Sequence, residues 1–501
     1  MAQKPLSESM VEIEEVDQAK NLVATYIKSS TGDKGERIDV VIPKNVNGYA
    51  RSVLDAFLPA GYPNSVTEDY LEYQIYVRAA NKPWTQSELI SEGLSTSVLK
   101  LHSWDAVLES RIGVGDSHAS PTAALLLSVL QQSMGRIATI VFAHRLGTAL
   151  EPECKMYRLA ADIFNDAAMI LDCLSPALPK ASRVALLSLS SVLRSMCGVT
   201  AGSSKASLSA HFATQGNLGE LNAKDSSQET VISLLGMLAG SVVVSYITSK
   251  TITWIALILL LATHLGTNYL AVRAVCMQTL NRQRANLVLS NILQQLSDLD
   301  DRNRRPAPRT GVVGPPALPD GITCLTPEEV QLKERVFERD GVLRWNGQQV
   351  LGYCRLGVKL QDVLDCLSRS NEVTGSTSSP TSRLRELLDI FQEEQYLIWY
   401  DEQRKTFLVV LDDESNAVAQ LAAWMFALSF AKERMGMEKT ETQKTGMEKD
   451  FMDALRKERS YMARVQVGIF EMLGSKWDLE TGALETKSGV RIRRPKALRG
   501  Y

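Results

Sequence analysis

The chain has 501 residues, with 55 basic against 57 acidic side chains and a formal net charge of −2. That length exceeds one small core, so two or three domains are expected, and the near-neutral balance excludes whole-chain attraction to nucleic acid or anionic lipid. Seven cysteines, spread out with no CxxC pair, exclude a disulfide frame and a zinc cage and read as reduced thiols.

The opening MAQKPLSESMVEIEEVDQAK carries acidic groups and no apolar stretch, so no secretory signal or transit peptide is expected, and membrane insertion would use an internal segment. Residues 1–44 read as an N-terminal extension in which two β-rich runs flank SSTGDKGE as a hairpin. From 45 to 300 helical patterns dominate. Ser120 and Pro121 predict the N-cap and first turn of a helix that contains Arg136. In the next helix, Tyr157 to Leu174, an apolar stripe of Leu159, Ile163, Ala167, Ile170 and Leu174 opposes Arg158, Asp162, Asn165 and Asp166. Arg183 to Gly198 is a further apolar helix.

Two charge-free runs follow, 230–249 and 251–272, separated by Lys250. A bilayer core of about 30 Å takes roughly 20 helical residues, so each is long enough to span, and together they predict a hydrophobic helical hairpin. Gly236 and Gly240, with the serines of the first run, suit a helix packed closely on a partner. Ser226 and Glu229 have the spacing of a capping box that would open this run. The alternative is a hairpin buried in a large soluble helical domain. If the hairpin spans a bilayer, Arg273, Arg282 and Arg284 beyond the second run and Lys224 before the first predict both ends on the cytosolic side by the positive-inside bias.

Residues 301–322 are a proline-rich linker, and 323–501 alternate strand and helix patterns, with hairpins at VLRW–NGQQ–VLGYC and YLIWY–DEQRKT–FLVVL. The expected architecture is mainly α: a helical membrane-associated domain with a hydrophobic helical hairpin, followed by a smaller α+β C-terminal domain.

No catalytic signature is present: there is no HExxH, GxSxG or P-loop, and the five histidines lack metal-ligand spacing. The polar groups that remain are Arg136, Asp162, Asn165, Asp166, Lys205, Lys224, Asp225 and Gln228. They form either solvated helix faces or, beside lipid, the lining of a polar cavity or ligand site. Lys205 and Lys224 near a helix start could also supply charge for an anion.

Five blocks carry a resemblance: FLPAGYPNSVTEDYLEYQ, IGVGDSHAS, residues 134–176, CGVTAGSSKASLSAHFA and NLGELNAKDSSQET. In this order they resemble the signature blocks of the root UV-B sensitive family, over about Ala50 to Val272. The resemblance implies a membrane protein with a role in vitamin B6 homoeostasis and photoprotection, and no established reaction. Pyridoxal phosphate as a ligand, and other family members as protein partners beside the lipid bilayer, are implied through the family alone. No cofactor is evident in the residues themselves. The segment Ile75–Arg111 departs from the family pattern, and Lys205 stands where basic members often carry arginine, keeping the charge but losing the bidentate fork. The leading expectation is handling or transport of a small metabolite; the alternative is a non-catalytic membrane-anchored scaffold acting through its C-terminal domain.

Overall fold

Three short strands open the chain. β1 (Glu12–Val16), β2 (Leu22–Ser30) and β3 (Glu36–Val41) pair antiparallel in that order, with Thr25 opposite Val41 and Ser30 opposite Glu36. The computed structural model describes residues 12–16, 22–30, 36–41, 58–80, 121–303, 318–374, 380–438 and 447–494, apart from a few single positions. Ser120 with the rest of IGVGDSHAS, and most of the proline-rich linker, lie outside the described residues.

The helical part comprises α1 (Tyr70–Ala80), α2 (Pro121–Leu146), α3 (Cys154–Leu174), α4 (Lys180–Phe212), α5 (Leu218–Tyr246), α6 (Lys250–Ala274) and α7 (Arg282–Asn303). α1 runs through Gln74 into the segment that departs from the family pattern. Beyond these lie α8 (Pro327–Lys333), β4 (Val342–Trp345), β5 (Gln349–Leu356), α9 (Leu360–Thr374) and α10 (Pro380–Ile390). The chain continues through β6 (Tyr396–Asp401), β7 (Thr406–Asp412), α11 (Ala417–Glu438), α12 (Met447–Gly474) and β8 (Arg491–Ile492).

The chain divides into two compact units, and the division runs through α2, α3, α4 and the end of α6. The first holds Met1–Ser128, Asp166–Leu187 and Lys205–Ala271; the second holds Val129–Asn165, Ser188–Ser204 and Val272–Tyr501.

In the first unit the end of α3 packs on α6 through Met169, Cys173, Leu257 and Leu261. Around that contact the distribution of side chains is inverted relative to a water-soluble domain. α5 exposes Leu234, Leu235, Leu238 and Val242, and α6 exposes Ile252, Ile255, Ile258 and Leu259, while Asp166, Gln228, His264 and Asn268 are buried. Among the described residues, Ser182–Phe212 and Thr251–Ala274 are long and apolar enough to cross a membrane, and only 17% and 33% of their most apolar stretches are buried.

The stripe read from the sequence of α3 requires correction. Ile163 and Leu174 are exposed, whereas Asp162 and Asp166 are buried, so the polar side of this helix, not the whole apolar stripe, faces protein. Its carboxylates are held by side chains, as described below, and the solvated-face reading does not hold.

The capping box read at Ser226 and Glu229 is likewise overturned. Gly216 takes a left-handed φ of 71° and α5 starts at Leu218, so Ser226 lies inside the helix, where its carbonyl accepts from Thr230 Oγ1 at 2.9 Å. No breaker separates Leu218 from Ser226 beyond Gly219, so the helix nucleates upstream of the S-x-x-E pattern. A capping box does occur at Thr326 and Glu329, where Pro327 occupies the first turn of α8. Gly240 does not mediate close helix packing: a Cβ there would meet no atom within 4 Å. Gly236 is buried. Close approach occurs instead in the second unit, where a Cβ on Gly135 of α2 would sit 2.5 Å from Ser195 Oγ of α4.

The second unit is built on a five-stranded sheet ordered β4-β5-β7-β6, with β8 added beside β7. Two hairpins, β4–β5 and β6–β7, join through a parallel β5–β7 pairing. The first turns at Asn346–Gly347, both with positive φ, as a two-residue primed turn requires. α7 and α11 pack on this sheet in one apolar core, where Trp424, Phe426, Leu428 and Phe430 are almost fully buried. Burial of side chains of this size contributes about 1.5–3 kcal/mol each. Trp424 Nε1 donates to Asn286 Oδ1 at 2.9 Å, fixing α11 against α7.

Candidate functional site

Three of the blocks that carry the family resemblance meet in the first unit. Thr67 N donates to Phe212 O at 3.3 Å, Val66 bridges to Ala213, and Asn217 Nδ2 donates to Ser65 O at 3.1 Å. Tyr70 and Tyr73 of α1 pack on Phe212, with ring centroids 5.5 and 5.1 Å away, and Asp69 pairs with His211 at 3.1 Å. At the same junction Lys205 Nζ lies 2.7 Å from Asp225 Oδ2 and 2.7 Å from Glu229 Oε1, while Gln74 Nε2 donates to Asp225 Oδ1 at 3.2 Å. Glu229 thus serves an ion pair and not a cap. One ammonium facing two carboxylates leaves a net negative charge, so Lys205 is not available as the cation of an anion site at a helix start.

A second polar group of this unit lies between α3 and α6. Asp166 Oδ2 is 3.0 Å from His264 Nδ1, and Asn268 Nδ2 is 3.0 Å from His264 Nε2. A singly protonated imidazole satisfies both contacts by donating from Nδ1 to the carboxylate and accepting at Nε2. Met169 and Leu261, three residues from Asp166 and His264 along their helices, belong to the apolar contact between α3 and α6.

The remaining predicted residues are placed separately. Asp162 pairs with Arg158 at 3.1 Å within α3, Arg136 is exposed on α2, and Asn165 and Lys224 are partly buried. Gln228 is buried on α5.

The second unit contains a site the sequence did not announce. A cavity of about 210 Å³ is lined by Tyr157, Arg282, Asn286, Asp340, Thr486 and Lys487, with Glu153 and the apolar Leu146, Met156 and Val342. Arg282 opens α7 and is only 8% exposed; its Nε donates to Leu484 O at 2.6 Å and its Nη1 to Asp340 Oδ1. Thr486 Oγ1 donates to the same Asp340 oxygen at 3.0 Å, and Lys487 Nζ lies 3.4 Å from Oδ2. Burial alone would raise the Asp340 carboxyl, but Arg282, Thr486 and Lys487 together hold it below the usual carboxylate range. Glu153 behaves oppositely. Burial pushes its carboxyl up to about 7, and Arg284 and Arg282 only partly offset this. Its Oε2 accepts from Asn281 Nδ2 at 3.2 Å. Behind it Glu334 accepts from Lys155 Nζ at 2.6 Å and Arg284 Nη1 at 3.0 Å, a buried triad. The neighbouring Cys154 thiol is pushed up to about 11 by burial and is not a nucleophile at neutral pH.

Arg282 and Arg284 are therefore not free charges flanking a hydrophobic run: both are engaged with carboxylates inside the second unit. Their signal was legible as NRQRAN, two arginines and three amide side chains at the start of a helix, too polar for a simple flank.

The sequence profile of the family described as "Vitamin B6 photo-protection and homoeostasis domain" matches residues 43–296, about half of the chain. The chain belongs to the root UV-B sensitive family. This family member is 34% identical over 313 residues to RUS family member 1 of Dictyostelium discoideum, covering 58% of the chain and 57% of that protein. It is 35% identical over 249 residues to Protein root UVB sensitive 3 of Arabidopsis thaliana, covering 50% and 53%. The chain thus matches little more than half the length of these curated relatives. No solved structure matches it. The family region contains the whole first-unit junction together with Glu153, Tyr157 and Arg282 of the cavity, whereas Asp340, Thr486 and Lys487 lie beyond it.

Proposed function

We propose that this family member is an integral membrane protein of vitamin B6 homoeostasis and photoprotection that binds and passes on a small vitamin B6 compound. The observation that carries the reading is that α5 and α6 expose many aliphatic side chains while burying Gln228, His264 and Asn268. A soluble core helix that passes the same apolarity test is mostly buried, and an ionisable pair such as Asp166–His264 among lipid-facing helices is held inward against a partner. The family description supplies the metabolite, and it supports pyridoxal phosphate or a relative as the ligand. Nothing in the polar clusters forms a nucleophile and base pair, so binding without covalent chemistry is the simplest use of them.

Alkaline carbonate extraction of membranes from cells expressing the full chain tests the membrane half of the proposal. Retention in the pellet is expected, and release as a monodisperse soluble protein would overturn it. Titration of the folded protein in lipid with pyridoxine 5′-phosphate tests the other half: saturable binding is expected, and its absence removes direct handling.

A further inference from the structure

Three donors of different chemistry converge on one side chain in the second unit. The Arg282 guanidinium, the Thr486 hydroxyl and the Lys487 ammonium all address the Asp340 carboxylate. Two cations face one carboxylate, which leaves one positive charge in excess. The other carboxylates of the cavity do not cancel it. Glu338 is spent on Arg344, which grips it through Nε and Nη2 at 2.9 Å each, and Glu153 holds its proton up to about neutral pH. A phosphate monoester, with a charge of about −1.5 to −2 near neutrality, matches two cations better than a carboxylate does.

The segment that carries Asp340 is fixed on both sides. Glu338 is clamped by Arg344, and Gly341 turns with φ 72° while its carbonyl accepts from Cys354 N at 2.7 Å. A Cβ on Gly341 would come within 2.6 Å of Cys354 O, so the backbone position is tight. The Asp340 side chain itself is 53% exposed. It can leave Arg282 by changing rotamer, without unfolding the loop. The cavity beside it has an apolar wall of Leu146, Met156, Tyr157 and Val342. At about 210 Å³ it is smaller than the roughly 300–1,000 Å³ of drug-sized sites, and so suits a body of a single ring.

We propose that Arg282, Thr486 and Lys487 form an anion subsite for a small organic phosphate with an apolar or aromatic ring, and that the phosphate takes the place of the Asp340 carboxylate. Asp340 acts as an internal competitor that sets the affinity. The inference rests on the vitamin B6 reading only for the choice of ring.

The test is calorimetric titration of the full chain in lipid with pyridoxine 5′-phosphate, phenyl phosphate and pyridoxine. The wild type is compared with Asp340→Asn, Lys487→Met and the double variant. Asp340→Asn should bind at least one of the two phosphates about tenfold tighter than wild type, the scale of one strong charge competitor removed, with no gain for pyridoxine. Lys487→Met, whose side chain stands mostly in solvent, should weaken phosphate binding in both backgrounds, and this arm serves even if Asp340→Asn is poorly folded. If phenyl phosphate follows this pattern and pyridoxine 5′-phosphate does not bind, the subsite stands and the vitamin B6 reading falls. If pyridoxine 5′-phosphate binds but is indifferent to both substitutions, the subsite is overturned while the reading survives. Absence of phosphate binding in every folded variant overturns the subsite.

Discussion

α6 and α11 are nearly interchangeable as strings of letters: 25 and 22 residues, both apolar, each with aromatic groups among aliphatics. Their environments are opposite. In α11 the run Leu421 to Leu428 is buried throughout on a sheet, whereas α6 exposes Ile252, Ile255, Ile258 and Leu259 and turns His264 and Asn268 inward. Apolar composition therefore specifies that a helix avoids water, but not whether protein or lipid replaces it. The inward polar residues His264 and Asn268 distinguish α6 from α11 and support the lipid-facing reading proposed above, because a helix buried on every side does not need its hydrogen-bonding groups sorted to one face.

The comparison is sharpened most by Phe426→Ala in α11. The ring is almost fully buried between Phe391 and Phe430, so the expected loss is about 3–5 kcal/mol in denaturant unfolding of the second unit. A loss below 1 kcal/mol would mean that α11 is not a core helix. Leu259→Asp attacks the other side. On the proposed membrane reading it should cost about 2.5–3.5 kcal/mol of insertion and move protein from the carbonate-resistant pellet to the soluble fraction. An unchanged pellet fraction with improved solubility would place that face in water and erase the contrast.

The third test uses pH and belongs to the second unit. Glu153 keeps its proton in the folded chain between its ordinary 4.5 and about 7, where the unfolded chain has lost it, so stability falls as pH rises through that window and the penalty is complete above it. Glu458, raised to about 7 chiefly by burial, acts in the same direction. Glu153→Gln should shrink the stability difference between pH 5 and pH 8 by about 1–3 kcal/mol, read by chemical unfolding at the two pH values. An undiminished difference would show that Glu153 is solvated.

Much of the fold was legible because local signals agreed with one another. Asn346–Gly347 between β-rich runs marks a hairpin, and Thr326–Pro327 with Glu329 marks a helix start, since proline and threonine act on the same turn. Ser226 and Glu229 have the same spacing but sit downstream of Asn217 and Gly216, where the chain had already entered α5. Spacing without a preceding break is not a boundary. The first-unit junction was half legible: Lys205 and Asp225 were singled out, but Gln74 and Asp69 come from chain more than a hundred residues before their partners Asp225 and His211. The cavity was missed because Asp340 and the adjacent Thr486 and Lys487 belong to two loops far apart in the chain, and only the folding of β4 and the C-terminal segment brings them to Arg282.

Gly135 has a rotational meaning. Its missing side chain lets Ser191 and Ser195 of α4 approach α2, and Phe142, on the same face of the helix, packs on Tyr157 and Phe164. A notch and a knob seven residues apart define an azimuth as well as a contact, because turning the helix would drive Cβ atoms into the serines. With that angle set, Ile137, Ile140 and Val141 have one direction left in which to point, away from α4. The heading of this aliphatic face is thus fixed by the smallest residue on the opposite side of the helix.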